Sequence, residues 1–247
     1  MKLAKFTYFV LFVFYSMSSF AEKSFFKDIS NLLPDQKPRL SYGVAVTDFD
    51  NDGSDEFIVT GFGYENLALG YDGNSLKNKI KENIFSDFNR STIGVAACDI
   101  DKDGHEEIYF LNTDTYSGQK MYSDRLLKLV DKNIEDLFEK DINQDELNLT
   151  AGRSVVCVDR EGKGNYGIYV ANYGGPTRFY EYIEDRVVDL AESLKLDEIT
   201  GGRAVVAGHI ISDQMDIFAA NERGPNFLYF NKEGKFLDVA GQMNVRD

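Results

Sequence analysis

The chain has 247 residues, with 41 acidic against 27 basic side chains and a formal charge of −14, which argues against nucleic acid or an anionic membrane as a partner. Fourteen Tyr and 19 Phe can supply a core, and the length suits one large β domain or two smaller ones.

Residues 1–21 read as a signal peptide: Lys2 and Lys5 give a positive start, Phe6 to Tyr15 an apolar run, and Ser19-Phe20-Ala21 a small-x-small cleavage site. The run is shorter than the ~20 residues of a membrane span, so cleavage after Ala21 is expected rather than retention as an anchor. No later segment reads as a span. The mature chain, 22–247, is then secreted, periplasmic or held at the cell surface, and losing Lys2 and Lys5 takes its formal charge from −14 to −16.

Two near-identical acidic stretches follow, DFDNDGSDEFIV at 48–59 and DIDKDGHEEIYF at 99–110. Acids occupy positions 1, 3, 5 and 9: Asp48, Asp50, Asp52 and Glu56, then Asp99, Asp101, Asp103 and Glu107. Carboxylates so close repel one another unless a cation sits among them, and hard oxygen donors in a turning loop suit Ca²⁺. Gly53 and Gly104 at position 6 permit the sharp turn that would aim the carbonyls of Ser54 and His105 inward. An EF-hand would carry a bidentate Glu at position 12 and lead into a helix. Here position 12 is Val59 or Phe110, and both loops run into strand-like segments. The plain alternative is an acidic hairpin turn without metal. Two full ligand sets favour two Ca²⁺ sites.

The motifs recur. A Gly-x-Ala/Ser-Val or Gly-Val-Ala strand appears at Gly43, Gly94, Gly152 and Gly202, each followed by an acidic loop or its remnant. The third loop, DREGKGNYGIYV at 159–170, keeps Asp159 and Glu161 but has Lys163 at position 5 and Gly167 at position 9. Lys163 is expected to stand where the cation would. The fourth has Gly208 at position 1 and Asp216 at position 9, so neither later loop is expected to bind calcium. An apolar-x-Asp-apolar tetrad occurs five times, at Phe26, Phe85, Ile134, Val187 and Phe236. Position 1 of the four loops falls at 48, 99, 159 and 208, and four short strands per such period mark a β-propeller blade. The expected blades are roughly 40–88, 92–137, 151–190 and 201–239 of one repeat domain, 22–247. The acidic segment 131–146 reads as a solvated helical excursion. Four blades need only four tetrads, so Phe26 to Ile29 is left over and the expected form is an open arc whose edges invite self-association.

Cys98 and Cys157 lie on equivalent strands one residue out of step, so their side chains point to opposite faces. Buried free thiols are therefore expected rather than a disulfide. Two sequons, at Asn89 and Asn148, matter only in a glycosylating host.

The stretches YGVAVTDFDNDGSDEF, IGVAACDIDKDGHEEIYFLNT, AGRSVVCVDREGKGNYGIYVANY and TGGRAVVAGHIISDQMDIF with NERGPNFLYFN resemble FG-GAP/VCBS repeats, the integrin α-chain type of calcium-loop blade. Within them the chain resembles cartilage acidic protein-like secreted proteins and their bacterial relatives, over residues 42–240. The resemblance implies an all-β, calcium-binding propeller with adhesive or extracellular binding roles, its partner a protein or glycan. It carries calcium ligands onto the eight acids of the first two loops and onto none in the last two. Family members run longer, with more blades and an ASPIC/UnbV-type C-terminal region. No nucleophile-elbow or zinc-helix motif occurs, and the two histidines read as structural or surface residues, so no enzyme is expected. The competing reading is a propeller-fold polysaccharide lyase or hydrolase, and a third is a non-catalytic fragment of a longer repeat protein.

Overall fold

The computed structural model describes residues 25–33, 38–80, 83–131 and 133–247. The signal-peptide reading on 1–21 lies outside them. The chain divides into two units, Met1–Asn31 and Leu32–Asp247. In the first, Asp28 accepts a hydrogen bond from the Ser30 amide (2.8 Å) and Phe26 to Ile29 form no strand.

Among the described residues the second unit holds sixteen strands in four antiparallel sets of four, in chain order. The first set is β1 (Val44–Thr47), β2 (Glu56–Val59), β3 (Leu67–Tyr71) and β4 (Leu76–Asn78). The second is β5 (Thr92–Cys98), β6 (Glu107–Asn112), β7 (Arg125–Val130) and β8 (Asn133–Asp136). The third is β9 (Gly152–Val158), β10 (Gly167–Pro176), β11 (Arg178–Ile183) and β12 (Arg186–Asp189). The fourth is β13 (Ile199–Gly208), β14 (Asp216–Arg223), β15 (Phe227–Lys232) and β16 (Lys235–Asp238). The end of β10 also pairs with the start of β13, which joins the last two sets into one sheet. This is the propeller-type repeat fold.

Strands at the centre of the second and third sets are apolar on both faces because each of these sets packs between two others. Along β6, Ile108 and Phe110 join Ile58, Phe85 and Val95 in a core between the first and second sets, while Tyr109 and Leu111 join Ile168, Val170 and Tyr180 in a core between the second and third. Along β10, Tyr169 and Ala171 turn the other way, onto Ile217, Phe227 and Tyr229 of the fourth. Period-two alternation therefore distributes side chains between two cores rather than between core and water. The inner strands pack in the series β1, β5, β9, β13, with no comparable packing from β13 back to β1 among the described residues. The outward faces at the two ends leave Val44, Val46 and Phe57, and at the other end Val206 and Leu237, exposed.

The same stacking joins the two cysteines. Cys98 and Cys157 form a disulfide with Cα atoms 6.3 Å apart. Their side chains do leave equivalent strands on opposite faces, but the forward face of one set packs on the backward face of the next, so opposite faces are the ones that meet. The expectation of free thiols failed because it treated each sheet alone.

The tetrads have a physical role in three sets. Asp136, Asp189 and Asp238 end β8, β12 and β16 and accept from the amides of Leu126 (3.2 Å), Phe179 (3.0 Å) and Leu228 (3.3 Å) on the neighbouring strand. In the first set Asn78 takes that place, accepting from Ala68 (3.2 Å). Phe85 to Phe88 thus follows the fourth strand instead of forming it, and Asp87 is buried against Arg125 (3.1 Å). The segment 131–146 holds β8 and two 3-10 turns, Leu137–Glu139 and Asp141–Glu146, and its Asn143 is buried. Asn148 is buried too, bonded to Asp124 (2.6 Å) and Asn172 (3.0 Å), whereas Asn89 is exposed. Among the described residues no helix is long and apolar enough to cross a membrane.

Candidate metal centre

Each acidic loop joins the first two strands of its set, and its turn is built by its own first residue. Asp48 accepts from the amides of Asp52 (2.9 Å) and Gly53 (2.8 Å), and Asp99 from that of Gly104 (3.0 Å). Gly53 and Gly104 have φ of 87° and 88°, the left-handed region that a Cβ disfavours, as the turn required. Position 4 is left-handed as well, at Asn51 and Lys102. Asp52 and Asp103 accept from the amides of Ser54 (3.0 Å) and His105 (2.9 Å), and His105 Nδ1 also lies 3.2 Å from Asp103.

The turns bring three carboxylates together in each loop. One oxygen each from Asp48, Asp50 and Glu56 lie within 4.8 Å of one another, as do those of Asp99, Asp101 and Glu107. Asp52 and Asp103 stand at the edge of their clusters. Glu56 and Glu107 open β2 and β6 and are buried, which pushes both carboxyls up, Glu107 to about 7 despite the Ile100 amide and Lys128.

A lysine that the loop pattern does not contain answers this charge. Lys128 on β7 puts its ammonium against Asp101, 2.6 Å from Asp103 and 3.2 Å from Glu107. Lys79, just past β4, lies 2.7 Å from Asp52, 2.6 Å from Glu56 and 3.8 Å from Asp50. The two come from different strands. Gly70 occupies the register position of Lys128, and the Lys79 chain lies across it, where a Cβ on Gly70 would meet Lys79 Cε at 2.3 Å. Asp52 falls below the usual carboxylate range through its bond to Lys79, and Lys79 rises in return. These lysines were missed because they lie 27 and 25 residues beyond Asp52 and Asp103.

The third loop keeps the turn, but the acid now stands on the third strand and the cation in the loop. Asp159 accepts from Lys163 (3.1 Å) and Gly164 (2.7 Å), and Gly162 and Gly164 repeat the two left-handed positions. Glu181 on β11 takes the register position of Lys128, and Arg160 pairs with it, one bond measuring 3.0 Å. Lys163 does not take the cation's place: its exposed side chain pairs with Glu161 (2.8 Å). At position 9, a Cβ on Gly167 would lie 2.6 Å from Phe179 Cε1. In the fourth loop, Asp216 is satisfied by the amides of Ile211 (2.7 Å), Ser212 (2.9 Å) and Asn231 (2.8 Å).

The residues of the first two loops fit a cation. Asp99 Oδ1 is buried without a hydrogen-bond partner, and so are both oxygens of Glu56, although Lys79 lies close to one of them. The donors are all oxygen, which suits a hard ion.

An FG-GAP-like repeat model matches residues 48–110, the span from the first acidic loop to the end of the second. Cartilage acidic protein 1 of Xenopus tropicalis is 42% identical over 235 residues, 85% of this chain and 36% of that protein. The human protein of the same name is 41% identical over 260 residues, 92% of this chain and 39% of its own length. The chain belongs to the FG-GAP-repeat family. It spans well under half the length of these relatives. The solved structure of BBS1N in complex with ARL6DN matches 83% of this chain and 56% of its own at 9% identity with a TM-score of 0.47.

Proposed function

We propose that the chain is a secreted calcium-binding module that holds one Ca²⁺ in each of its first two loops and displays its repeat fold to an extracellular protein or glycan. The carboxylates of Asp48, Asp50, Asp52 and Glu56, and of Asp99, Asp101, Asp103 and Glu107, would hold the ions, joined by the carbonyls of Ser54 and His105. The ion would supply charge neutralisation that ties the loop to the strand behind it. The observation carrying this reading is that two buried glutamates and their loop aspartates converge while part of their oxygen set lacks hydrogen bonds. Lys79 and Lys128 sit among the same oxygens, so calcium uptake has to move their ammonium groups. Export is supported by the disulfide, a bond that persists in oxidising compartments, and by the similarity to cartilage acidic protein 1. In this proposal the chain binds and does not catalyse, and its exposed end faces are where a second copy would pair.

Isothermal titration of the mature protein should count two calcium ions per chain, and Asp50→Ala should leave one. A count of zero or four would overturn the assignment.

A further inference from the structure

Five residues before the last residue of β1, β5, β9 and β13 stand Tyr42, Ile93, Arg153 and Arg203, the first just ahead of its strand and the other three at the register shift of theirs. All four line a single cavity of about 660 Å³, together with Phe62, Ser91, Thr113, Asp114, Thr115 and Tyr116. That volume lies inside the range of roughly 300–1,000 Å³ typical of ligand pockets. It does not involve the acidic loops.

Arg153 is a fixed cation in this wall. It is only 9% exposed, and its guanidinium lies 5.2 Å from the ring centres of both Tyr116 and Tyr173. It donates to Thr113 Oγ1 (3.0 Å), to the Gly152 carbonyl (2.7 Å) and to the Tyr116 carbonyl, all neutral acceptors, and its Nε is buried without a partner. Among the described residues no carboxylate forms an ion pair with it. Arg203 contributes a second guanidinium, more than half exposed, with Glu222 3.6 Å away. The one acid in the lining, Asp114, spends both oxygens on the amides of Met121 and Tyr122 at 2.8–3.1 Å. In a chain of formal charge −14, two guanidiniums from equivalent positions thus face one cavity with little local compensation.

The rest of the wall narrows the ligand. Tyr42 and Phe62 pack edge to face at 5.4 Å and, with Tyr116, offer flat apolar surface, while Ser91, Thr113 and Thr115 offer hydroxyls. Aromatic faces suit the C–H face of a sugar ring, hydroxyls suit its hydroxyls, and a guanidinium fork suits a carboxylate. We propose that this cavity binds an acidic saccharide, a uronate whose carboxylate meets Arg203 and Arg153 and whose ring lies against Tyr42 and Tyr116. The proposal rests on the extracellular binding role above and names its ligand class.

The test is titration of the full mature chain, at fixed calcium, with tri-galacturonate, with its carboxyl-reduced neutral counterpart and with tri-glutamate. The uronate should bind at least tenfold more tightly than either control, and more weakly as salt rises. Arg203→Gln should weaken uronate binding at least tenfold. It leaves Arg153 and the cores untouched, so loss of fold would not explain the result, and the calcium count serves as the folding control. Glu222→Gln should strengthen binding by freeing Arg203. Absent uronate binding with two calcium ions still counted would sink the cavity proposal and leave the calcium reading standing. Equal binding of the neutral sugar, equal binding of tri-glutamate, or an indifferent Arg203→Gln would also overturn it.

Discussion

The second and third sets share one loop backbone but balance its charge in different ways. In both, an aspartate at position 1 caps the amides of the turn and two left-handed residues flank position 5. Beyond that they diverge: Glu107 faces Lys128 in one, and Arg160 faces Glu181 in the other. The first aspartate is thus the part of the turn that both loops share, while the acids at positions 5 and 9 of the second loop are replaced in the third. Burial forces charge balance either way, because an uncompensated ion in a poorly solvated place is costly. The third loop meets that need with a permanent pair. The second meets it with one lysine among four acids, which leaves net negative charge for a metal.

The disulfide ties these two contrasting sets together, so removing it should have the largest effect. Cys98 and Cys157 are 59 residues apart, and a loop of that length corresponds to about 4 kcal/mol of stability on the chain-entropy account. Replacing both cysteines with alanine should lower the denaturant midpoint while calcium binding persists. An unchanged midpoint would contradict it.

Exchanging the countercharges sharpens the contrast directly. In chelator, Lys128→Met leaves Asp101, Asp103 and Glu107 without their cation and should cost about 1–3 kcal/mol. Saturating calcium should erase that loss. Glu181→Gln strands Arg160 and should destabilise equally with and without calcium. If calcium rescues neither variant or both, the two loops do not differ as described.

A smaller cost is expected for Gly167→Ala, about 1–2 kcal/mol, since the new Cβ would press on Phe179 and the Tyr180 carbonyl. A glutamate there would meet the same wall, so restoring acids to the third loop should not restore a metal site. A neutral Gly167→Ala, read by thermal unfolding, would remove this explanation.

The smallest effect appears only in alkali. Tyr109 and Tyr180 stack with ring centres 6.0 Å apart where the second and third sets meet, and burial raises both phenols well above the ordinary value of 10.0. The folded state holds those protons more tightly than the unfolded state does. Their contribution is complete below pH 10 and is lost as pH rises above it. Phenolate absorbance of native protein at about pH 11 should therefore fall short of that of unfolded protein. A single titration of all the tyrosines near 10 would refute it.

Much of the design was legible locally. The spacing of Asp48, Asp50, Asp52 and Glu56, the glycine at position 6 and the return of that pattern at Asp99 identified loops between strands, because a turn is decided by residues a few positions apart. The recurrence of the motif at 48, 99, 159 and 208 likewise revealed four sets of strands, since each repeat carries its own pairing signals. Three features were decided by tertiary structure. Lys79, just past β4, and Lys128, on β7, reach the loops from later parts of their sets, and no linear pattern joins them to the acids. Cys98 and Cys157 meet because successive sheets stack front to back, which reverses what strand parity says of either sheet alone. Arg153 and Arg203 stand 50 residues apart and converge only because equivalent positions of the inner strands face one cavity.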